Sequence, residues 1–351
     1  MKIFLCPMPE KDDDYLGKLK IYIDNGSNKF VGIEDLSKNL FQLFRIDAAS
    51  FNFVENIASS NGEKAKVYLS AIKYISFILF LKMTGTKIYF TLNSKLPHDC
   101  RYDRIGYFMI KMQILLSNRT ILLCKNSKDI VEQYVGKRIA KRRCYYVGAP
   151  MVEHSNGMDK NQITSLESRN IRFVFFGNIK RYKNIDLLID SWKELRLENA
   201  ELVIAGRMES DKYKQLLNRK AENTENLCII EGYLSNHKLD ALIQSATVIV
   251  EPFDLKSGIN SATLLRAASM KKTMIISEIP LLYDFGKDLF FSYVYNNREE
   301  HLEKLKDRMR YVYNLAQNKP EVIIEMGEKL YKRVHEAASE SQVKKRYVSL
   351  F

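Results

Sequence analysis

The stretch FVFFGNIKRYKNIDLLI (173–189) places cations directly beyond an apolar run. The run ends at Gly177, Arg181 and Lys183 follow, and Asn184 is a suitable N-cap for the helix predicted after it. A glycine lets another backbone approach closely, and cations at the carboxyl end of a strand suit a phosphate-bearing ligand. A structural turn with solvated lysines is the alternative interpretation.

A second stretch, EPFDLKSGINSATLLRAASMKKTMII (251–276), joins an apolar run to a helix through a loop of small residues. The helix is predicted to start near Asn260, so its free N–H groups and positive dipole end would face the same region. Thr263 adds a hydroxyl group. An ordinary capped helix is the alternative. The residues that would leave room for a diphosphate to touch the backbone are Ser257, Gly258, Ser261 and Ala262.

The elements that must position these stretches form two series. With 351 residues the chain is long enough for two domains. Apolar, strand-like runs alternate with helix-length periodic segments, which predicts parallel sheets covered by helices on both faces. The strand-like runs of the first series are 2–7, 47–54, 86–93 and 119–126, and those of the second are 171–177, 200–206, 226–234, 247–253 and 273–279.

The expected fold is therefore α/β, with two doubly wound Rossmann-like domains facing a central cleft. Ligands bind beyond the carboxyl ends of the strands in such sheets, so the cleft is the expected site. The predicted divisions are a first Rossmann-like domain (1–151), a polar linker (152–170), a second Rossmann-like domain (171–320) and a helical tail (321–351), for which packing back on the first domain is one possibility.

Residues 171 to about 285 carry a combination of motifs: the Gly177-to-Asn184 pattern, LVIAG (202–206), EGYLS (231–235), and VEPF followed by SGINSATLLRA. This region resembles the donor-binding domain of GT-B glycosyltransferases. It is most similar to the family-4-like retaining enzymes that build capsule, exopolysaccharide and lipopolysaccharide chains. The resemblance implies that the donor-binding residues are Gly177, Asn178, Arg181, Lys183, Arg207, Tyr233, Leu234, Ser257, Gly258, Asn260, Ser261, Ala262 and Thr263.

Within that set the resemblance implies separate tasks. Lys183 would contact the donor diphosphate with help from Arg181, and Tyr233 with its neighbour would lie near the nucleobase. The chain departs from the family where two glutamates commonly stand, because Gly258 and Arg266 occupy those positions. No carboxylate is then available there for ribose or sugar hydroxyls, and Arg266 is expected to meet a phosphate or a protein partner.

The amino-terminal half resembles the same bacterial enzymes in FNFVENI (51–57) and YFTLNSKLPHD (89–99). A carboxylate facing the donor could deprotonate an acceptor hydroxyl, which makes Asp99 the first candidate for the base and His98 the second. Alternatively, Asp99 only caps the following segment and His98 is a positioning or core residue. The candidate acceptor-binding residues are Asn52, Glu55 and Asn93.

Charge and cysteine usage indicate the setting. The net charge is +13, and residues 101–150 hold eleven Lys or Arg against three acidic residues. This basic segment fits an anionic membrane or a phosphate-bearing substrate, or is simply a solvated face, and no nucleic-acid-binding signature accompanies it. The run 67–83 predicts a buried or membrane-surface helix. Five Cys without a CxxC pair, and no secretory signal, favour a reducing cytoplasm.

The sequence therefore predicts a cytoplasmic glycosyltransferase, peripheral on the inner face of the membrane. It would move a sugar from a UDP-sugar, in preference to a GDP-sugar, to a glycan or polyprenyl-diphosphate-linked acceptor. No metal site and no cofactor are expected, because the His residues are scattered. Two alternatives stay open: a catalytically degenerate GT-B subunit that supports a partner transferase, and another GT-B enzyme such as a nucleotide-sugar epimerase. The oligomeric state is not predicted.

Overall fold

The computed structural model describes residues 1–9, 14–38, 44–54, 57, 64–96, 102–151, 171–256 and 258–351. The chain divides into two compact units. Unit 1 comprises Met1–Ala149, Lys256–Asn260 and Glu340–Phe351, and unit 2 comprises Pro150–Leu255 and Ser261–Ser339. The predicted linker, 152–170, lies outside the described residues.

Unit 1 contains a six-stranded, fully parallel sheet with the strand order β2-β1-β3-β4-β5-β6. The order reverses between β1 and β3, so the carboxyl ends of these two strands flank the switch point of this sheet. The strands are β1 (Lys2–Cys6), β2 (Lys29–Val31), β3 (Ala48–Phe51), β4 (Lys87–Leu92), β5 (Arg119–Leu122) and β6 (Cys144–Tyr146). The helices are α1 (Asp14–Ile23), α2 (Ile33–Lys38), α3 (Lys64–Met83), α4 (Asp103–Leu116), α5 (Ser127–Val135), α6 (Lys137–Arg143) and, from the chain end, α14 (Glu340–Val348).

Unit 2 contains a second parallel sheet, with the order β12-β11-β10-β7-β8-β9. Numbered within the unit this is 6-5-4-1-2-3, the order of dinucleotide-binding folds, and it reverses between β7 and β10. The strands are β7 (Ile171–Phe176), β8 (Ala200–Gly206), β9 (Leu227–Glu231), β10 (Val248–Glu251), β11 (Met274–Ser277) and β12 (Phe291–Tyr293). The helices are α7 (Ile185–Leu195), α8 (Asp211–Ala221), α9 (Asn236–Ser245), α10 (Ala262–Ser269), α11 (Leu281–Phe285), α12 (Arg298–Asn318) and α13 (Pro320–Ala338).

The core of unit 2 lies between its sheet and the helices α7 and α12. Apolar residues recur at helical spacing on α7, and Leu188 and Trp192 are buried with Phe173 and Phe175 of the adjacent strand. Phe173 and Trp192 meet edge to face, with ring centroids 5.7 Å apart. This packing fixes the end of β7 from which the first cationic stretch emerges.

The predicted α/β class with two doubly wound sheets is confirmed. Each of the predicted strand runs contains a strand of the structure, and three further short strands, β2, β6 and β12, were not predicted. The basic run after Gly136 forms helix α6 and strand β6. Helix α1 begins at Asp14.

Candidate functional site

The two stretches singled out in the sequence meet at the switch point of the unit 2 sheet. Strands β7 and β10 are adjacent and parallel, so their carboxyl ends lie side by side. Gly177 follows β7 and Pro252 follows β10. The backbone N–H of Asp254 donates to the carbonyl of Tyr182 at 3.0 Å, which joins the two loops. Ligands bind at this position in open α/β sheets.

A buried ion pair lies at the centre of this region. Lys183 is 7% exposed and Glu251 is fully buried, and the Lys183 ammonium forms a salt bridge and hydrogen bond with the Glu251 carboxylate. Lys183 Nζ also lies 3.4 Å from Thr263 Oγ1. Burial alone would lower the pKa of Lys183, but the adjacent Glu251 carboxylate raises this pKa above its ordinary value. Lys183 is therefore a charged ammonium held within the fold.

The amino terminus of α10 faces the same pair. Ser261 is the N-cap of this helix, and its Oγ accepts a hydrogen bond from the Leu264 N–H at 3.0 Å. The same hydroxyl donates to Glu251 Oε2 at 2.5 Å. One carboxylate thus ties the ammonium of one loop to the cap of the next helix. The first N–H groups of α10, at Ala262 and Thr263, have no acceptor within the helix.

Asn184 stands before α7, as predicted, but does not cap it. Its backbone is left-handed, with φ 50°, and its side chain makes no capping hydrogen bond. The Asn184 amide instead donates to the Pro252 carbonyl at 2.9 Å. The expected capping role was therefore wrong. The side chain joins the two loops because the end of β10 lies beside it.

Arg181 makes an ion pair, a backbone hydrogen bond and a ring contact within unit 2. Its Nε lies 3.2 Å from Glu209 Oε1, and its backbone N–H donates to the other oxygen of that carboxylate at 3.1 Å. The guanidinium also lies over the ring of Tyr213, 4.9 Å from its centroid. The side chain remains half exposed, so one face of the guanidinium stays open to solvent.

Arg266 has an internal partner. Its Nη2 donates to Asp240 Oδ1 at 2.7 Å and to Asn236 Oδ1 at 3.2 Å, which joins α10 to α9. Both side chains of the ion pair are mostly buried, at 13% and 12% exposed. Arg266 was expected to meet a phosphate or a protein partner. In the structure its guanidinium instead pairs with Asp240 of α9.

Restoring a carboxylate at this position should therefore destabilise unit 2. We expect Arg266→Glu to lower the free energy of unfolding by about 2–3 kcal/mol, since it places two carboxylates together in a mostly buried position. Denaturation in urea measures this change. Asp240→Arg added to Arg266→Glu reverses the pair and should recover most of the loss. An Arg266→Glu variant as stable as the wild type would contradict the contact.

An aromatic cluster supports the loop after β10. The Tyr295 hydroxyl donates to the Phe253 carbonyl at 3.0 Å and accepts from the Leu255 N–H at 3.2 Å. His301 stacks on Tyr295 with ring centroids 3.8 Å apart, and its Nε2 lies 3.0 Å from the Tyr293 hydroxyl. The pKa of His301 is lowered to about 4. Burial is the main cause, and the positive charge of Arg298 is a smaller one.

This histidine should make the stability of the chain sensitive to mild acid. The folded-state pKa of His301 lies below the ordinary value of 6.5, so its stabilising effect is complete above pH 6.5 and declines as the pH falls towards 4. Between pH 8 and pH 5 we expect a loss of about 2 kcal/mol. Urea denaturation across this range measures it. His301→Gln should flatten the dependence above pH 5, and an unchanged slope in that variant would contradict the assignment.

The remaining predicted donor residues differ in their exposure to solvent. Thr263 and Gly258 are buried, Leu234 is partly buried, and Tyr233 is 81% exposed. Gly258 and Asn260 belong to the segment Lys256–Asn260, which groups with unit 1. Ser257 lies outside the described residues. The exposed members at strand and helix ends are Asn178, Arg207 and Ala262.

The unit 1 candidates are described in part. Asn52 follows β3 at the switch point of its sheet and is 3% exposed, and its Oδ1 has no hydrogen-bond partner among the residues that the structure describes. Asn93 follows β4, and its amide donates to the Thr91 carbonyl at 3.2 Å. The predicted base residues Asp99 and His98, and the predicted acceptor residue Glu55, lie outside the described residues.

Glu251 is the residue at the centre that sequence reasoning did not assign to the site. The signal was present, because a carboxylate ends an otherwise apolar run and therefore needs a buried partner. Within the described ranges, His, Cys, Asp and Glu side chains form no group of three or more that could hold a metal ion.

Comparison with known proteins shows what the chain is similar to. Residues 170–306 match the family model described as glycosyl transferases group 1. The whole chain superposes on HepE of Anabaena, solved in complex with UDP-glucose, with a TM-score of 0.71 at 8% identity, covering 100% of this chain and 99% of that chain. No curated protein sequence is similar to the chain.

Two further solved structures share the fold. Sucrose-phosphate synthase from Thermosynechococcus elongatus gives a TM-score of 0.70 at 10% identity, covering 99% of this chain and 97% of that chain. A glycosyltransferase from Rickettsia africae gives 0.67 at 10% identity, with the same coverage. The chain is thus a protein of the GT-B fold. Within this fold, residues 170–306 are the part that is similar to the group 1 glycosyl transferases.

Proposed function

We propose that the chain is a glycosyltransferase that takes a sugar from a nucleotide diphosphate donor. The observation that carries the proposal is the convergence of Lys183, Thr263 and the start of α10 at the switch point of unit 2. A cation, a hydroxyl and free helix N–H groups together match the chemistry of a diphosphate. The UDP-glucose bound to HepE supports a UDP-sugar in preference to a GDP-sugar.

The transfer is proposed to proceed without a metal ion. The leaving diphosphate gains negative charge as the glycosidic bond breaks, and Lys183 with the positive end of α10 would stabilise that charge. An ammonium has three N–H donors. Glu251 and Thr263 meet two of them, and the third would go to a phosphate oxygen. Arg181 would add charge from the open face of its guanidinium.

The acceptor is proposed to be a glycan or a polyprenyl-diphosphate-linked glycan, held by residues of unit 1. Asp99 would take the proton from its attacking hydroxyl, with His98 as the second candidate. Asn52 offers a buried amide oxygen, unpartnered within the described ranges, at the switch point of its sheet, where it could accept a hydrogen bond from an acceptor hydroxyl. Glu55 and Asn93 are proposed to hold further hydroxyls.

The proposed location is the inner face of the cytoplasmic membrane. The support is the basic segment 101–150, because each basic residue near anionic lipid contributes about 1 kcal/mol. Surface attraction of this kind is screened by salt. Recovery of the protein in the membrane fraction should therefore fall as the salt concentration rises.

A transfer assay tests this proposal. The purified chain is incubated with a labelled UDP-sugar or GDP-sugar and a membrane lipid extract, and label in the lipid phase is measured. Transfer from a UDP-sugar that Asp99→Asn reduces strongly is the expected result. Label found only in water-soluble sugar phosphates would contradict a lipid-linked acceptor and indicate a sugar phosphate acceptor. No transfer to any acceptor would contradict an active enzyme.

One observation favours a second candidate, a degenerate GT-B subunit that supports a partner transferase. At the two positions where the family commonly has glutamates, the chain has Gly258 and an arginine that pairs internally with Asp240. Nucleotide binding without transfer, or transfer only after a partner is added, would favour this candidate.

A further inference from the structure

Helix α3 of unit 1 turns an apolar face to solvent. Its buried residues, which include Val67 and Ile78, lie on one side. On the opposite side of the helix, at about 100° per residue, stand four exposed apolar residues, here called the α3 apolar face. They are Leu69 (52% exposed), Ile72 (60%), Leu79 (43%) and Met83 (79%).

Neighbouring side chains extend this face. Phe44 is 63% exposed and packs edge to face against Phe80 of α3, with ring centroids 5.4 Å apart. Tyr68, one turn before Ile72, is 48% exposed. Single exposed apolar residues are ordinary on a protein surface, but several on one side of a helix, here with Ser76 among them, mark a surface that contacts another apolar phase.

The charged residues of helix α3 itself have one sign. Helix α3 contains no Asp or Glu. By helical spacing Lys66 and Lys73 flank the α3 apolar face on one side, and Lys64 and Lys82 flank it on the other. Lys82 donates to the Leu116 carbonyl at the end of α4, at 3.0 Å.

The last residue of the basic helix α6, Arg143, lies near Lys82 at one flank of this face. The charge of Arg143 adds to burial in lowering the pKa of Lys82. The earlier part of α6 carries four more basic residues of the segment already described: Lys137, Arg138, Lys141 and Arg142. Apolar side chains with lysines on both flanks match the boundary between acyl chains and anionic headgroups, where lysine stems lie along apolar surface and their ammonium groups reach phosphates.

Other occupants fit this surface less well. A second copy of the chain docked through the same face would bring the lysines of both copies together, and like charges in contact oppose association. A membrane span is excluded for α3, because no helix in the described part of the chain is long and apolar enough to cross a bilayer. A helix of this length can lie flat at the interface, where it covers about 30 Å.

We propose that the α3 apolar face is the membrane-contacting surface of this protein, inserted among the headgroups of an anionic bilayer. The inference rests on the proposed membrane location and names the surface responsible for it. It places Leu69, Ile72, Leu79 and Met83 at the acyl boundary. The flanking lysines and α6 contact lipid phosphates.

Vesicle cosedimentation tests the proposal. The full chain is mixed with vesicles of phosphatidylcholine alone, or of equal parts phosphatidylcholine and phosphatidylglycerol, at low and high salt. Wild-type protein should bind the anionic vesicles, and added salt should weaken this binding. Ile72→Glu with Leu79→Glu should reduce the affinity by at least about tenfold, because two apolar contacts are replaced by charges that anionic lipid repels. Both positions are exposed, so an unchanged melting temperature is expected.

Matched variants separate the alternatives. Ile324→Glu, at a position 61% exposed on α13 of unit 2, should leave vesicle binding unchanged. Lys66→Gln with Lys73→Gln should reduce the preference for anionic over neutral vesicles. A double glutamate variant that binds as well as the wild type, or wild-type protein that ignores anionic vesicles, would overturn the proposal. So would a dimer in light scattering that the double glutamate variant abolishes, since a second copy would then cover the face. The double glutamate variant should bind nucleotide normally, so a failure here is distinguishable from failure of the proposed transfer reaction.

Discussion

Lys183→Ala should lower the free energy of unfolding by about 3–5 kcal/mol, because it leaves the carboxylate of Glu251 buried without its counter-charge. Glu251 is fully buried, and Ser261 would be its remaining hydrogen-bond donor among the contacts described. Breaking one half of such a pair is far more costly than replacing both halves. Denaturation in urea, followed by circular dichroism, measures the loss.

The matched variant for this prediction replaces both partners. Lys183→Met with Glu251→Gln removes both charges, and the glutamine amide oxygen can still accept a hydrogen bond from Ser261. This double variant should recover most of the stability that Lys183→Ala loses. A free energy of unfolding for Lys183→Ala within about 1 kcal/mol of the wild-type value would contradict the buried pair, because so small a loss is typical of an exposed pair. The double variant is also the better protein for ligand-binding experiments. If the unstable Lys183→Ala variant failed to bind a ligand, the loss could come from unfolding and not from the missing ammonium group.

Gly206→Ala should cost at least about 3 kcal/mol, because the exits of β7 and β8 are in direct contact. A Cβ at Gly206 would lie 1.7 Å from the carbonyl oxygen of Gly177, and Gly206 has a φ of 154°. The backbone that leads towards Lys183 would have to move to relieve the overlap. We therefore expect both reduced stability in urea and weakened nucleotide binding.

Gly232→Ala is the control for this change. Gly232 also has a positive φ, of 107°, but a Cβ there would meet no atom within 4 Å. It should cost only the backbone strain of about 1 kcal/mol. Equal losses in the two variants would show that strain rather than the close approach to Gly177 determines the effect.

Most of the fold could be predicted from the sequence because its central strands are continuous apolar runs that are buried on both faces. The strands that were missed, β2, β6 and β12, each have three residues and lie at sheet edges. A strand of three residues is too short to give a recognisable apolar run. The pairing of these strands depends on a neighbouring strand that is distant in sequence.

The candidate site could be predicted only in its local parts. The Gly177 exit and the start of α10 at Ser261 were visible because each depends on adjacent residues. The contact of Lys183 with Glu251, 68 positions later in the chain, depends on the pairing of β7 with β10. The same holds for Arg266, whose partner is on another helix. Sequence periodicity carries no information about such distant contacts.

The proposed nucleotide diphosphate site at Lys183 is tested most directly by measuring nucleotide binding. The wild type is compared with the Lys183→Met, Glu251→Gln variant. UDP, GDP, CMP and ADP, alone and as sugar conjugates, are added to each protein and the melting temperature is recorded. A ligand at 100 times its dissociation constant adds about 2.7 kcal/mol to stability, which raises the melting temperature by several degrees. We expect the melting temperature of the wild type to rise with UDP or a UDP-sugar, and the variant to show no such rise. No rise with any nucleotide, in folded wild-type protein, would contradict the proposed site.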